Sequence, residues 1–467
     1  MDFEILSLIM RLLKISVIIF ILALSATVFA GYFWLKNTSP EKIVLNVGKT
    51  IGVSLTNGTN LEKVLGFDKS KTYLILFLNN TELRPGGGFI GAYAVVRANK
   101  GVPEILKIEG SERLDNSAAT FVDNPPEPIS RRLKVKHWYF RDSNWSPDFA
   151  LSAERALQIY QTENGIGAAD IDAVIGFTPT VIEELLEIIG PITAEGMEFN
   201  AKNFTEKLEY EVEYGYKDRG EQFNDRKNLL EDVGLAIIAK ARENLLWRLQ
   251  KYITLGKKIL AEKQVAIYAV DKTNQELLRQ INWTGEMRQR SGDYLMWVDA
   301  NLAALKTDAA ITRSLEYRII STSTGYLASA SMKYNHTGKY DWRTSRYLSY
   351  TRVFVPIGSK LVKVTGAITK DSQGDLSIGQ GTENGRQWFG AYINIAPGTT
   401  DTLTFEYLLP ETVVKQIADK QYNLLVQKQI GTNDVGLTLD LFFAKNTNLN
   451  TNLNKYLNTD KEFKINN

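Results

Sequence analysis

The chain has 467 residues, 44% of them hydrophobic and 23% charged, a globular balance rather than a disordered or collagen-like one. Lys and Arg number 55 against 53 Asp and Glu, leaving +2 with His neutral and no basic excess for gripping nucleic acid. With no cysteine and only two histidines, His137 and His336, disulfides, thiol catalysis, Cys-ligated zinc, iron–sulfur clusters and a His-rich metal site are excluded. Chemistry is left to carboxylates, arginines, lysines and hydroxyls.

Ile15 to Leu35 is an uncharged run of 21 residues, long enough as a helix to cross a hydrocarbon core of roughly 30 Å. Arg11 and Lys14 precede it, Tyr32 and Trp34 lie at its far end, and Lys36 follows directly, outweighed by Arg11 plus Lys14. This charge bias predicts a cytoplasmic N-terminus, a single-pass anchor in the cell membrane and an extracytoplasmic bulk. The rival reading is a signal peptide cleaved after Val28-Phe29-Ala30; the apolar run continues past that point, which favours the anchor. Residues 37–70, with Ser39-Pro40 and Asn57-Gly58, read as a stalk.

Tyr73 to Leu78 is a continuous apolar run of strand length, expected to be buried on both faces. Phe89 to Val96 and Pro103 to Ile108 follow as a hairpin around Asn99-Lys100-Gly101. Ser146-Pro147 reads as N-cap and first turn of a helix that stops at Asn164-Gly165. Ile171 to Phe177 is a strand, and Thr178-Pro179 opens a helix ended by Gly190-Pro191. Asn224 to Gln264 is mostly helical, and Val265 to Val270 is a strand. The succession predicts an α/β mixed-sheet domain over 71–310. From about Thr312 seven short strand-like pieces, Arg313–Ile320 through Leu437–Phe443, alternate with turns and predict an all-β antiparallel sandwich over 311–444. The Asn-rich tail, 445–467, reads as disordered.

Three segments could carry chemistry. Arg84-Pro85-Gly86-Gly87-Gly88 joins two strands: glycine N–H groups can cradle an anion and Arg84 can grip phosphate or carboxylate, or the loop is a tight connection. In Arg141-Asp142-Ser143-Asn144-Trp145-Ser146-Pro147-Asp148, Asp142 and Asp148 could share a divalent cation, or merely cap local structure. In Asp218-Arg219 through Asp225-Arg226-Lys227, the two arginines and two carboxylates form either a charged rim over a pocket or a solvated helix start. His137 reads as a surface or packing residue.

The segments NNTELRPGGGFIG, RDSNWSPDF, DIDAVIGFTPTVIEELLEIIGPI and LLVQKQIGT resemble, in order, a family of bacterial membrane-anchored proteins classed as a domain of unknown function. More distantly, IDAVIGFTPTVIEELLEIIGPI followed by DRGEQFNDRKNLLEDVGLAI is similar to the LytR–CpsA–Psr cell-wall transferases. That resemblance implies arginines for a polyprenyl pyrophosphate and carboxylate-held Mg²⁺, carried here only onto Arg219, Asp225 and Arg226, with Arg84 placed by position. Gly190-Pro191 departs from that family's Gly-Gly turn. Two functions stay open. One is binding or transfer of lipid-pyrophosphate-linked envelope polymers, with a polyprenyl-linked glycan or peptidoglycan as partner. The other is a non-catalytic envelope protein whose α/β domain binds a ligand and whose β-domain presents an interaction surface.

Overall fold

The structure is a computed structural model that describes residues 69–99, 102–122, 124–222, 229–243, 247–323, 325–443 and 451–466. The expected membrane span and most of the expected stalk lie outside the described residues; among those described, no helix is long and apolar enough to cross a membrane.

The first domain is built on a five-stranded sheet. In chain order it contains strands β1 (Lys71–Asn79), β2 (Phe89–Asn99) and β3 (Val102–Gly110), then helices α1 (Ser111–Ser117), α2 (Glu127–Leu133) and α3 (Phe149–Thr162). Strand β4 (Ile171–Phe177) leads into α4 (Pro179–Ile189), the small hairpin β5 (Ile192–Ala194) and β6 (Met197–Phe199), and α5 (Phe204–Tyr210). A π-helical turn, Glu211–Gly215, extends α5; α6 (Leu229–Glu243), α7 (Leu249–Ala261), β7 (Val265–Ala269) and α8 (Lys272–Gln280) follow. The strand order is β3-β2-β1-β4-β7, with β1 and β4 parallel and the other pairs antiparallel. The central strand is buried on both faces, as its apolar run requires. Tyr73 and Ile75 pack under α4, α6 and α7, while Leu74, Leu76 and Leu78 pack against Ala153, Ala156 and Ile159 of α3.

Helix α3 starts two residues later than its Ser-Pro signal suggests. Asp148, not Ser146, is the N-cap: its carboxylate accepts from the N–H groups of Ala150 and Leu151, and the Ser146 hydroxyl accepts from the Asp148 N–H at 3.1 Å. Helix α4 does begin with Pro179 at its first position, and ends at Gly190 with φ 85°.

The second domain begins earlier than expected. Strand β8 (Asp293–Asn301) lies inside the region read as α/β, yet sits in the middle of a second-domain sheet. All nine of its residues are buried, so it shows no alternation. Leu295 and Trp297 enter the core between two sheets, while Ala300 on the other face meets Ile129 of the first domain. The chain continues through β9 (Ile311–Thr322), β10 (Gly325–His336), β11 (Tyr347–Pro356), β12 (Lys360–Thr365), the short hairpin β13 (Lys370–Asp371) and β14 (Gly374–Asp375), β15 (Gly379–Glu383), β16 (Arg386–Ile395) and β17 (Thr400–Leu408). Helix α9 (Glu411–Ala418), β18 (Gln421–Gln427), β19 (Gly436–Phe442), β20 (Thr451–Tyr456) and β21 (Lys461–Asn466) complete it. Two six-stranded sheets, β12-β17-β10-β9-β19-β20 and β15-β16-β11-β8-β18-β21, share one apolar core. Most pairs are antiparallel, but β8·β18 and β9·β19 are parallel, so the expectation of a wholly antiparallel sandwich is corrected.

The expectation of a disordered tail is also corrected. Strand β20 pairs with β19 and β21 with β18, extending both sheets by one strand. Edge strands tolerate polar side chains because only one ladder and part of one face are engaged. Between them Leu457 is 4% exposed and joins the shared core, and Asp460 pairs with Lys263 of the first domain at 2.8 Å. Leu457→Ala should lower unfolding stability by about 2–4 kcal/mol in urea titration; unchanged stability would show that the tail does not pack.

Candidate functional site

The loop between β1 and β2 is an internal joint rather than an open cradle. Arg84 is 1% exposed. Its Nε donates to Asp142 Oδ1 at 3.0 Å, its Nη2 to Glu82 Oε1 at 3.1 Å and its Nη1 to the Asn301 carbonyl of β8. Asn144 Nδ2 donates to the Gly88 carbonyl at 2.7 Å, and the Gly86 N–H donates to the Asn144 carbonyl at 3.0 Å. Gly86, Gly87 and Gly88 are all buried. A Cβ on Gly88 would lie 2.5 Å from the Asn79 backbone, and one on Gly431 would lie 2.2 Å from the Gly87 carbonyl oxygen. Gly88 lets the loop close on the end of β1, and Gly431 lets backbone from the second domain touch it.

The second domain holds the same loop from the other side. The Leu83 N–H donates to Asp308 Oδ2 at 3.0 Å, the Asn301 N–H to the Leu83 carbonyl at 2.9 Å, and Gln429 Nε2 to the Arg84 carbonyl at 3.1 Å. Trp145 sits against Arg352 and Tyr350 of β11. Three of the distinctive sequence segments therefore meet, but as a buried domain junction.

Several of the site residues read from sequence are engaged within the protein itself. Asp142 is tied to Arg84. Asp148, 1% exposed, caps α3 and accepts from the Met287 N–H at 2.9 Å and from Asn384. Burial pushes its carboxyl up to about 6. Each carboxylate is thus satisfied by N–H donors of its own, and the pair does not fit a shared Mg²⁺; among the described residues no cluster of three or more potential ligands could hold a metal. Arg219 is surrounded by Glu211, Glu221 (2.9 Å) and Glu195 (3.4 Å), which leaves its charge more than neutralised. Asp225 and Arg226 lie outside the described residues. His137 stacks on Phe121 with ring centroids 4.2 Å apart, the packing role expected of it.

What composition did not reveal is a cavity of about 240 Å³ on the opposite face of the sheet. Its floor is Phe77, Ala92, Ile108 and Phe177 from four strands; its walls are Ile182 and Leu185 of α4, Phe204 and Leu208 of α5, and Val233, Ile237 and Ile238 of α6. Asn79, Thr205, Glu209, Glu213 and Lys306 supply the polar lining. Most of these are already engaged: Asn79 Nδ2 donates to Glu209 Oε1 at 3.0 Å, Arg343 Nε to Glu209 Oε2 at 2.8 Å, and the Thr205 hydroxyl to Glu183. The π turn borders the cavity through Val212 and Glu213, and such turns recur at functional sites. The helical spacing of Leu229, Leu230, Val233, Ala236 and Ile237 is visible in sequence; that part of this stripe faces a void and not only packed core is not.

Residues 68–213 match the model of a family described as "Protein of unknown function (DUF4012)". That span holds three of the four segments on which the sequence resemblance rested and the whole of the cavity floor. The search of curated proteins finds no match. Among solved structures the chain is similar to Lin1025 protein from Listeria innocua, at 14% identity over 48% of this chain and 83% of that one, with a TM-score of 0.26. A candidate nutrient binding protein from Legionella pneumophila is similar at 10% identity over 32% and 54%, with a TM-score of 0.21.

A second buried carboxyl is pushed up by its surroundings. Glu163 follows α3, and neither of its carboxylate oxygens meets a donor among the described residues. It lies beside Asp115 of α1, which accepts from the Phe140 N–H at 2.8 Å and from Arg141 at 2.9 Å. Burial first, and then the Asp115 charge, push the Glu163 carboxyl up to about 8. A raised carboxyl stabilises the fold fully below the ordinary carboxylate range, and the contribution is lost as pH rises through the folded value. Glu163→Gln should therefore match the parent protein below the ordinary carboxylate range and exceed it by about 1–3 kcal/mol at high pH, above the folded value. Parallel pH–stability curves for the two proteins would contradict this assignment.

Proposed function

We propose that this chain is a membrane-tethered binding protein on the outer side of the cell membrane, whose α/β domain receives the hydrocarbon chain of an envelope lipid without transforming it. One observation carries the reading: the cavity is walled almost wholly by carbon, yet opens beside a polar rim, the arrangement of a site for an amphiphile. The location rests on the Ile15–Leu35 run and the Arg11/Lys14 bias. The β-rich second domain would serve as scaffold and interaction surface.

Transfer of a lipid-pyrophosphate-linked polymer, which the distant resemblance to LytR–CpsA–Psr proteins implies, asks for cations free to meet phosphate. Arg84 is enclosed by its own partners and Arg219 by three carboxylates. Asp142 and Asp148 are likewise engaged. Binding without catalysis is the reading these groups support.

Gly234 of α6 lines the cavity. Glycine within a helix costs about 1 kcal/mol relative to alanine, so Gly234→Leu should fill the void while leaving the melting temperature equal or higher. Uptake of an apolar fluorophore such as Nile red, measured by fluorescence titration of the purified protein, should be lost in this variant. Undiminished uptake would place apolar binding elsewhere.

A further inference from the structure

The rim contains one lysine that the other described residues leave loosely used. Lys306 comes from the second domain, in the turn between β8 and β9, and reaches the cavity of the first. The chain before it bends through Ala303 (φ 65°) and Leu305 (φ 52°), left-handed conformations that cost energy in residues with a Cβ. Its own N–H is fixed to the Arg343 carbonyl at 2.9 Å. The side chain is 17% exposed, and its closest carboxylate, Glu213, stands 3.7 Å away on a side chain that is 41% exposed. That separation is an ion pair without a hydrogen bond. Glu82, another carboxylate whose charge acts on Lys306, is held by Arg84 at 3.1 Å. A largely buried lysine side chain with three donors and no close acceptor among the described residues thus lines an apolar cavity.

We propose that this site binds a long-chain fatty acid, its alkyl chain in the cavity and its carboxylate hydrogen-bonded to Lys306. The inference rests on the lipid-binding reading above and narrows it to a head group. An incoming carboxylate would exchange the loose pair for charge-assisted hydrogen bonds of about 2.7–2.9 Å, while half-exposed Glu213 turns to water. A single cation balances a single negative charge. A pyrophosphate, with at least two charges, would be left uncompensated beside Glu213 and Glu209. A neutral alcohol would gain one ordinary hydrogen bond only.

The test is calorimetric titration of the full chain in mild detergent with palmitate and with hexadecanol, which share a chain and differ in the head. Palmitate should bind at least tenfold more tightly than hexadecanol. Lys306→Met, its fold checked by far-UV spectrum and melting temperature, should erase that preference. Glu213→Gln should widen it by removing a competing carboxylate. Equal binding of the two ligands to the unaltered protein, or a preference that survives Lys306→Met, overturns the fatty-acid assignment and leaves the lipid-chain reading standing. Binding of neither ligand overturns both.

Discussion

A guanidinium out of reach of water must have every partner supplied by protein, and the arrangement around Arg84 follows from that requirement. Its partners come from one neighbour and two distant stretches: Glu82 beside it, Asp142 before α3, and the Asn301 carbonyl at the end of β8. Removing one member of such a buried set typically costs about 3–5 kcal/mol, because an uncompensated charge remains. The node therefore fixes the β1–β2 loop, the entry to α3 and the first strand of the second domain in one geometry. Asp299, Asp308 and Arg313 continue this buried ionic layer inside the second domain, with Arg313 Nε 2.8 Å from Asp299 Oδ2. The two domains are joined by satisfied charge as well as by apolar area.

That node explains why the most distinctive segments of the chain looked like a ligand site. Glycines in a row, an arginine and paired aspartates suit anion binding, and they equally suit two backbones brought into contact around a buried ion pair. Type and spacing are the same in both cases; what differs is whether the donors face solvent or one another, and that depends on β8 and the Gln429–Gly431 segment hundreds of residues away.

Most of the first domain was legible because its signals are local. The Tyr73–Leu78 run, the Pro179 helix start and the Gly190 stop depend on neighbours in sequence. Strand β8 was not, because burial on both faces removes the alternation that marks a second-domain strand. β10 was missed because its Ala-Ser-Ala-Ser stretch has small side chains where large ones usually announce a strand. β20 and β21 were missed because asparagine-rich composition suggests solvation, and only their pairing with β19 and β18 gives them structure. The cavity was invisible for a further reason: apolar periodicity identifies the inner face of α6, but the space left between that face and the sheet depends on side chains from four strands, α4, α5 and the π turn.

The site as it stands combines a carbon-lined interior, a lysine delivered across the domain junction and an acidic helical segment at the mouth. The junction contributes to the cavity indirectly, by holding the second domain so that Lys306 and Arg343 reach the first. The most direct measurement of the central claim is mass spectrometry of lipid released by denaturing the full-length protein after mild-detergent extraction from membranes. The account predicts about one single-chain lipid per protein, enriched over its share of the membrane. Release of a stoichiometric pyrophosphate-linked polyprenyl glycan, or of no lipid above the membrane background, would contradict it.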